Sequence, residues 1–467
     1  MAPESESSAS TAEHDRWQQH WLNRWYPVAI LRDLDPQRPW RFTLLDQDLV
    51  LWWDRAADQW RAFADVCPHR LVPLSEGRLN AAGELECPYH GWSFNGERKC
   101  TAIPQAPADV AGTACASPRS RCRTYATAAA QGLLFVFAGA ADRAAAVPLP
   151  LVPELDQPGW LLQDTFRDLP MDALTLLENV LDVSHVPFTH HRTVGRRENA
   201  APVQAELQRS GPDGFALLWE EGPRRGRLGS QSTTFLAPAL MWHDLTAKGF
   251  ARILTVVYAT PIRRGECRLF ARFPFQFQSA LPRLLLGLRP RWLQHAANHV
   301  VLEDDQVFLH WQERALEARG GSGAFSRACY LPCPADLYTS ALHDWVRDHG
   351  GEPFPAQPLP PRLELAPLMD RYDSHTRHCR SCREAHHRLQ RWRPRLRGMA
   401  LVGVIALVLL AALPAALPQL PALSWPPLLV GAVLPVLLLA LEARFAGWQR
   451  SLERGTGAAP RNRLERA

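Results

Sequence analysis

The chain has 467 residues, 46% of them hydrophobic and 21% charged, which excludes a disordered tract and leaves material for two to three domains or one large enzyme subunit. The net charge is +5, but residues 371–397 alone carry nine Arg against Asp373 and Glu384. The remainder is slightly acidic, so no nucleic-acid-binding surface and no nucleic-acid partner is expected. Collagen-like, coiled-coil and disulfide-scaffold classes fail on composition, and 17 Trp with 40 Pro fit a loop-rich, aromatic-packed protein rather than a helical bundle.

Residues 1–20 read as a polar tail. The first fifteen are rich in Ser and Glu, with neither a positive start nor an apolar run. They match neither a secretory signal nor an Arg-rich transit peptide, which points to a reducing compartment where cysteines serve metals rather than disulfides. Residues 21–145 read as an all-β domain: a strand over Asp48–Trp53, a turn at Asp54–Asp58, a strand over Trp60–Val66, then Gly/Pro punctuation and a closing apolar strand, Gly132–Phe137. A Pro-rich linker over 147–158 follows.

Residues 155–350 mix strands and helices. A helix is predicted over Asp172–Asp182, paired strands over Leu254–Tyr258 and Leu269–Phe275, and a second helix over Leu302–Arg319 with Leu302, Phe308, Leu309 and Leu316 as its apolar positions. Residues 351–397 are Pro-rich and then Arg-rich. Gly398–Leu417 and Ala422–Leu441 are two nearly charge-free runs of bilayer-spanning length, with Pro414, Pro418, Pro421, Pro426 and Pro427 marking a tight turn between them. Arg391, Arg393, Arg395 and Arg397 before the hairpin and Arg444 and Arg450 after it place both ends, including the tail 442–467, on the cytoplasmic side. The competing reading is a pair of buried core helices, against which the lack of charge weighs.

Three clusters carry chemistry. Cys67-Pro-His69-Arg is followed by Cys87-Pro-Tyr-His90, with 17 residues between His69 and Cys87, each pair in a Gly/Pro-rich loop. Two Cys and two His so arranged suit a [2Fe-2S] cluster with thiolates on one iron and imidazoles on the other. A structural zinc site is the alternative, but zinc fingers pair Cys with Cys and His with His, whereas each pair here is mixed. Secondly, His185 and His190 stand five apart around Pro187, which is expected to break the helix and let the rings converge. Two His with a distant carboxylate form the facial triad of non-haem Fe(II) oxygenases, with positions left open for O2. Glu303-Asp304-Asp305 should open the second helix. Asp305 is the favoured third ligand and Asp304 the fallback, while His191 is the alternative to its neighbour. Asp182 is not needed on the metal and is placed to accept a ring N–H.

The third cluster is Cys379-Arg-Ser-Cys382, set among Arg377, His378, Arg380 and Arg383, a cationic setting that favours thiolate. The readings are a redox-switchable disulfide, a plain pair of surface thiols, or metal binding with His375 or His378.

With these motifs the chain resembles the Rieske non-haem iron oxygenases, and within them the pheophorbide a oxygenase branch, which includes chlorophyllide a oxygenase, protochlorophyllide oxygenase and Tic55-like envelope proteins. The resemblance rests on Trp25-Tyr-Pro-Val28, Cys67 through Gly77, Cys87 through Phe94, Ile103-Pro-Gln-Ala106, Glu178-Asn179 through His191, and Cys379-Arg-Ser-Cys382, and spans about residues 20–440. It implies an α+β chain: an N-terminal all-β Rieske domain, a C-terminal helix-grip catalytic domain of antiparallel sheet plus helices, and a two-helix transmembrane hairpin. It implies Cys67, His69, Cys87 and His90 as cluster ligands, and His185, His190 and Asp305 on a mononuclear Fe(II). Asp182 becomes the acid bridging the two centres, Asn179 a residue near the iron, and Cys379 with Cys382 a redox-regulatory pair. It further implies a ferredoxin donor, a tetrapyrrole substrate (pheophorbide a, chlorophyllide a or protochlorophyllide) and a homotrimer in which each cluster serves the neighbouring chain's iron.

Plant members begin with a transit peptide and this chain is not expected to have one, which points to a bacterial form, for instance at a cyanobacterial plasma or thylakoid membrane. No G-x-G-x-x-G or plant-type ferredoxin spacing is present, so electrons should come from a separate protein. A sterol or another aromatic is the same-chemistry alternative. A non-catalytic redox relay or sensor at the membrane is the alternative from another class.

Overall fold

The computed structural model describes residues 17–222, 228–247, 250–355, 357–416, 425–456 and 460–462. Most of the expected polar tail and the Pro418/Pro421 turn lie outside them. The chain divides into two compact units: one comprises 1–289, 304–364 and 459–467, the other 290–303 and 365–458.

The first unit begins with three small antiparallel sheets. Strands β1 (Trp25–Ile30), β10 (Thr127–Ala130) and β11 (Leu133–Phe137) form one; β2 (Trp40–Leu44), β3 (Gln47–Asp54), β4 (Gln59–Ala64) and β9 (Thr124–Tyr125) form the second. The third consists of the two- and three-residue strands β5 (Arg78–Leu79), β6 (Leu85–Glu86), β7 (Ser93–Phe94) and β8 (Cys100–Ala102). The alternating and wholly apolar runs read in the sequence are these strands, because Val50, Trp52 and Phe63 bury their side chains in one core. A helix at Ala108–Ala116 was not anticipated. It buries no residue, so it carries no apolar stripe for periodicity to find.

A seven-stranded antiparallel sheet follows in the order β12-β18-β17-β16-β15-β14-β13, built from β12 (Leu161–Leu169), β13 (Glu206–Gly211), β14 (Gly214–Trp219), β15 (Leu228–Leu236), β16 (Leu240–Ala247), β17 (Phe250–Arg263) and β18 (Glu266–Phe277). Tyr258 pairs with Phe270 and Ala259 with Leu269, so the expected strand pair exists and is longer than its apolar centre. The Thr260 hydroxyl donates to Pro27 O (2.8 Å) and Arg268 to Val28 O (3.0 Å), which fastens β1 to this sheet.

Helix α1 (Ala173–Leu181) buries Leu174, Leu176, Leu177 and Leu181. Asp172 precedes it, and its carboxylate takes the Gly265 N–H and the Arg264 guanidinium. Burial and the neighbouring Glu313 carboxylate push Asp172 up to about 7. The native state therefore keeps a proton that the unfolded chain, with an aspartate near 4, has released. Stability should fall as pH rises from about 4 to about 7 and level off above. Thermal unfolding across that range checks this, and Glu313→Gln should flatten the slope.

The second long helix corrects the sequence expectation. It runs from Arg291 to Glu317, eleven residues earlier than expected, and Glu303-Asp304-Asp305 lies inside it rather than at its start. Of the four expected apolar positions only Leu309 is buried. The buried face instead carries His295, His299, Glu303, Asp304, Asp305, Gln306, His310 and Glu313. A polar buried stripe gives no apolar period, and the sequence reading therefore lost the first half of the helix.

In the second unit, helices α3 (Arg380–Ala416) and α4 (Trp425–Glu453) pack side by side, taking Arg291–Glu317 as α2. A Cβ on Gly403 would lie 2.9 Å from Pro435 Cγ, and one on Gly431 2.5 Å from Leu407 Cδ2, so both glycines mark close backbone approach. Arg393 and Arg397 donate to Glu442 at 2.9 and 2.7 Å. Both helices are long and apolar enough to cross a membrane, and only 11% of each apolar stretch is buried. Buried core helices are thereby excluded, since Leu401, Val402, Val408 and Leu409 are at least 60% exposed.

Candidate metal centres

The two Cys-Pro loops share one backbone plan. Cys67 N–H donates to Val72 O and Leu71 N–H to Cys67 O, both at 2.9 Å; Cys87 N–H donates to Trp92 O (2.8 Å) and Gly91 N–H to Cys87 O (3.1 Å). In each, the fourth residue after the cysteine is left-handed, φ 60° at Leu71 and 72° at Gly91. The repeated fold turns both sulfurs inward, into the core shared with Val50, Trp52, Leu74, Leu85 and Phe94. His69 and His90 stay half-buried at the rim, their ring centroids 4.6 Å apart, and His69 stacks on Trp92 at 4.6 Å and 9°.

Burial pushes the Cys67 thiol up to about 11. Desolvation, His90 and Arg70 hold His69 below the usual imidazole range. The buried His69 Nδ1 has no hydrogen-bond partner among the described residues. An apolar pocket for sulfur beside a neutral imidazole with an idle nitrogen fits a cluster whose irons supply the positive charge that thiolates require.

The second centre is assembled from three elements. α1 ends at Leu181, and Asp182 is its C-cap. His185 and His190 then flank a single helical turn, Val186–Thr189, with Pro187 near its start. Pro187 therefore opens a turn instead of breaking a helix, its fixed φ and missing N–H costing nothing there. Asp304 and Asp305 come from the middle of α2.

Ligand atoms of His185, His190 and Asp305 all lie within 4.8 Å of one another. His190 Nε2 is 3.2 Å from His185 Nε2 and 3.2 Å from Asp305 Oδ2. Asp304 is on the other side of the same ring, its Oδ2 3.3 Å from His190 Nδ1, where it also accepts from Thr193 Oγ1 at 2.8 Å. The adjacent acids are thus divided: Asp305 faces the convergence point and Asp304 holds the ring from behind. Burial disfavours a charged His190 ring, but Asp304 and Asp305 more than offset it and raise the group to about 9. Asp305 Oδ1 is buried without a hydrogen-bond partner among the described residues. Two imidazoles and one carboxylate converging with an idle oxygen fit a divalent metal of the facial-triad type.

Asp182 Oδ2 stands 3.7 Å from His185 Nδ1, and its Oδ1 accepts the Ser184 N–H at 2.7 Å. Burial works to raise its carboxyl, yet the contacts with His185 and Ser184 leave it below its ordinary value. Asn179 is half-buried on α1, one turn before Asp182. His191 is not in the convergent group, and its Nδ1 accepts the Arg197 N–H at 3.2 Å.

Three contributors escaped the sequence reading: Asp304 as a backing acid, Thr193, and His243. His243 on β16 is buried, with burial pushing it down to about 4. Its Nε2–H donates to Val180 O at 2.9 Å while Nδ1 accepts from Thr233 Oγ1 at 2.7 Å, which fixes the neutral tautomer and pins the end of α1 ahead of Asp182 and His185. A lone strand histidine gives no sequence signal for that. His243→Ala should lower iron occupancy by about 10–100-fold, as the loss of a supporting partner does, measured by iron analysis of the purified enzyme.

Cys379 and Cys382 are fully buried, which corrects the reading as surface thiols. His378 is not in the convergent group, whereas His295 from α2 and His375 are, the four offering ligand atoms within 4.8 Å of one another. The Cys382 hydrogen bond first, then His375 and His295, hold the Cys379 thiol well below its usual range despite burial.

The comparisons agree with this arrangement. The Rieske [2Fe-2S] domain profile matches residues 24–125 and the pheophorbide a oxygenase profile residues 235–322. Among curated proteins, the chloroplastic pheophorbide a oxygenase of Arabidopsis thaliana is 36% identical over 400 residues, 79% of this chain and 73% of that one. The chloroplastic flavonoid 8-hydroxylase 2 of Ocimum basilicum is 30% identical over 414 residues, 82% and 77% of the two chains. Among solved structures, Pseudomonas putida CBB5 NdmA with caffeine shares the fold at a TM-score of 0.56 and 20% identity, covering 71% of this chain and 92% of that one.

Proposed function

The chain belongs to the pheophorbide a oxygenase family of Rieske oxygenases, and from that premise we propose a membrane-anchored enzyme that oxidises a chlorophyll-type tetrapyrrole with O2 and electrons from a ferredoxin. One observation carries the reading: His185, His190 and Asp305 converge with Asp304 bracing the central ring. A relay or sensor has no use for such an open three-ligand site.

In this reading Cys67, Cys87, His69 and His90 hold the [2Fe-2S] cluster, and His185, His190 and Asp305 hold Fe(II). Together these groups supply one-electron delivery and O2 activation. The protein's own residues do the rest. Asp304 and Thr193 fix the tautomer and tilt of His190. Asp182 faces the Nδ1 side of His185 at 3.7 Å and offers the route between centres, and Asn179 borders the iron pocket. The half-exposed rim of His69 and His90 is the contact edge for a donor or for a neighbouring subunit's Asp182, as a homotrimer would provide. Co-assembling a Cys87→Ala chain with a His190→Ala chain should restore turnover if transfer crosses subunits, and should not if it stays within one chain.

Helices α3 and α4 anchor the enzyme on the cytoplasmic side, with the exposed Arg391, Arg395 and Arg397 at the headgroups, and a flat apolar substrate reaches the site from the bilayer. The flavonoid 8-hydroxylase relative supports a second reading, an aromatic substrate outside the tetrapyrroles. Full-length enzyme with reduced ferredoxin and isotopically labelled O2 should be offered pheophorbide a, chlorophyllide a, protochlorophyllide, a flavone and a methylsterol. Label in one of the three pigments supports the proposal. Label only in the flavone or sterol, or in nothing while the cluster turns over, refutes the tetrapyrrole assignment.

A further inference from the structure

We infer that His295, His375, Cys379 and Cys382 form a structural zinc site, independent of the two iron centres. All four residues are at most 1% exposed. His295 Nδ1 lies 3.1 Å from His375 Nε2, 3.5 Å from Cys379 Sγ and 3.4 Å from Cys382 Sγ, and His375 Nε2 lies 3.3 Å from Cys382 Sγ.

A tetrahedral ion with Zn–N near 2.0 Å and Zn–S near 2.3 Å sets its ligands about 3.3 Å apart for N···N and about 3.5 Å for N···S. The observed spacings match both values. A two-iron cluster does not fit, because bridging irons would separate the sulfur pair from the nitrogen pair far beyond 3.5 Å. Two thiolates and two imidazoles at tetrahedral spacing, with no place left for water or substrate, select zinc and a structural rather than catalytic role.

The local sequence builds the hook. His375 lies in the wide helical turn Tyr372–Thr376, and Cys379 N–H donates to His375 O at 3.0 Å. Cys382 sits in the first turn of α3, so H-x3-C-x2-C delivers three ligands from eight residues and α2 supplies the fourth from 80 residues earlier. The turn is tied to α2 close by: Arg371 donates two hydrogen bonds to Glu303 at 2.5 and 2.6 Å.

Zinc K-edge X-ray absorption on tag-free, full-length enzyme tests this, because the edge is blind to iron. About one zinc per chain is expected, with two sulfurs near 2.3 Å and two nitrogens near 2.0 Å. Cys382→Ser should lose zinc at least tenfold while keeping the Rieske electron paramagnetic resonance signal. If that variant does not fold, cobalt exchanged into wild-type protein should give the absorption of a tetrahedral two-thiolate site. Zinc bound by nitrogen and oxygen only, iron in its place, or a metal-free pair that cross-links on mild oxidation would overturn the assignment, the last restoring the redox switch.

Discussion

His190→Ala is expected to abolish product formation while leaving the reduced Rieske signal at wild-type intensity. The ring touches every other member of its site. Nε2 lies between His185 and Asp305, and Nδ1 is braced by Asp304. Removing it takes away one of the three proposed ligands and leaves Asp304 and Asp305, both buried, without the ring that faces their charge. The loss of turnover should exceed the roughly 10–100-fold of a supporting residue. Asp304→Asn sits at that lower level, because an amide still meets Nδ1. Asp305→Asn should resemble His190→Ala. Product analysis on the three variants beside iron content separates the ligand from its brace, and equal behaviour of Asp304→Asn and Asp305→Asn would contradict the division of labour.

Glu303→Ala is expected to be the most destabilising single change outside the metal centres, by about 3–5 kcal/mol, the cost of leaving one partner of a buried ion pair uncompensated. Arg371 and Glu303 have side chains only 3% and 6% exposed. The same guanidinium donates to Ser451 O at 2.6 Å, and Arg371 N–H donates to Glu453 O at 2.9 Å. One arginine therefore joins the middle of α2, the turn carrying His375 and the end of α4. Thermal unfolding in detergent would show the loss, and Glu303→Leu with Arg371→Met should recover much of it, since removing both charges removes the stranded one.

The parts of this protein legible in its sequence are those where chemistry is local. Cys67/His69 and Cys87/His90 lie within loops whose hydrogen bonds close over five residues, so their spacing is legible, and His185 and His190 lie on one turn and are legible through that spacing together with the Rieske motif upstream. The strands of the first domain were legible because their buried faces are apolar. α2 was not, because its buried stripe is His, Glu, Asp and Gln. For the same reason the adjacent pair Asp304/Asp305 could be narrowed but not resolved: consecutive helix positions point about 100° apart, and only the packed structure shows which carboxylate faces His190 Nε2. His295 could not be joined to Cys379 and Cys382, since 84 residues separate it from the first of them and no local pattern spans that gap.

The proposed function requires an O2-accessible iron held by His185, His190 and Asp305 in the same chain as a Rieske cluster. Nitric oxide added to the reduced, iron-replete, full-length enzyme probes it most directly, because it binds ferrous iron only where a coordination position is open. A high-spin ferrous-nitrosyl resonance approaching one spin per chain beside the Rieske signal, absent in Asp305→Asn, is the expected result. A Rieske signal alone, in protein whose iron content accounts for the cluster and nothing more, would contradict the account.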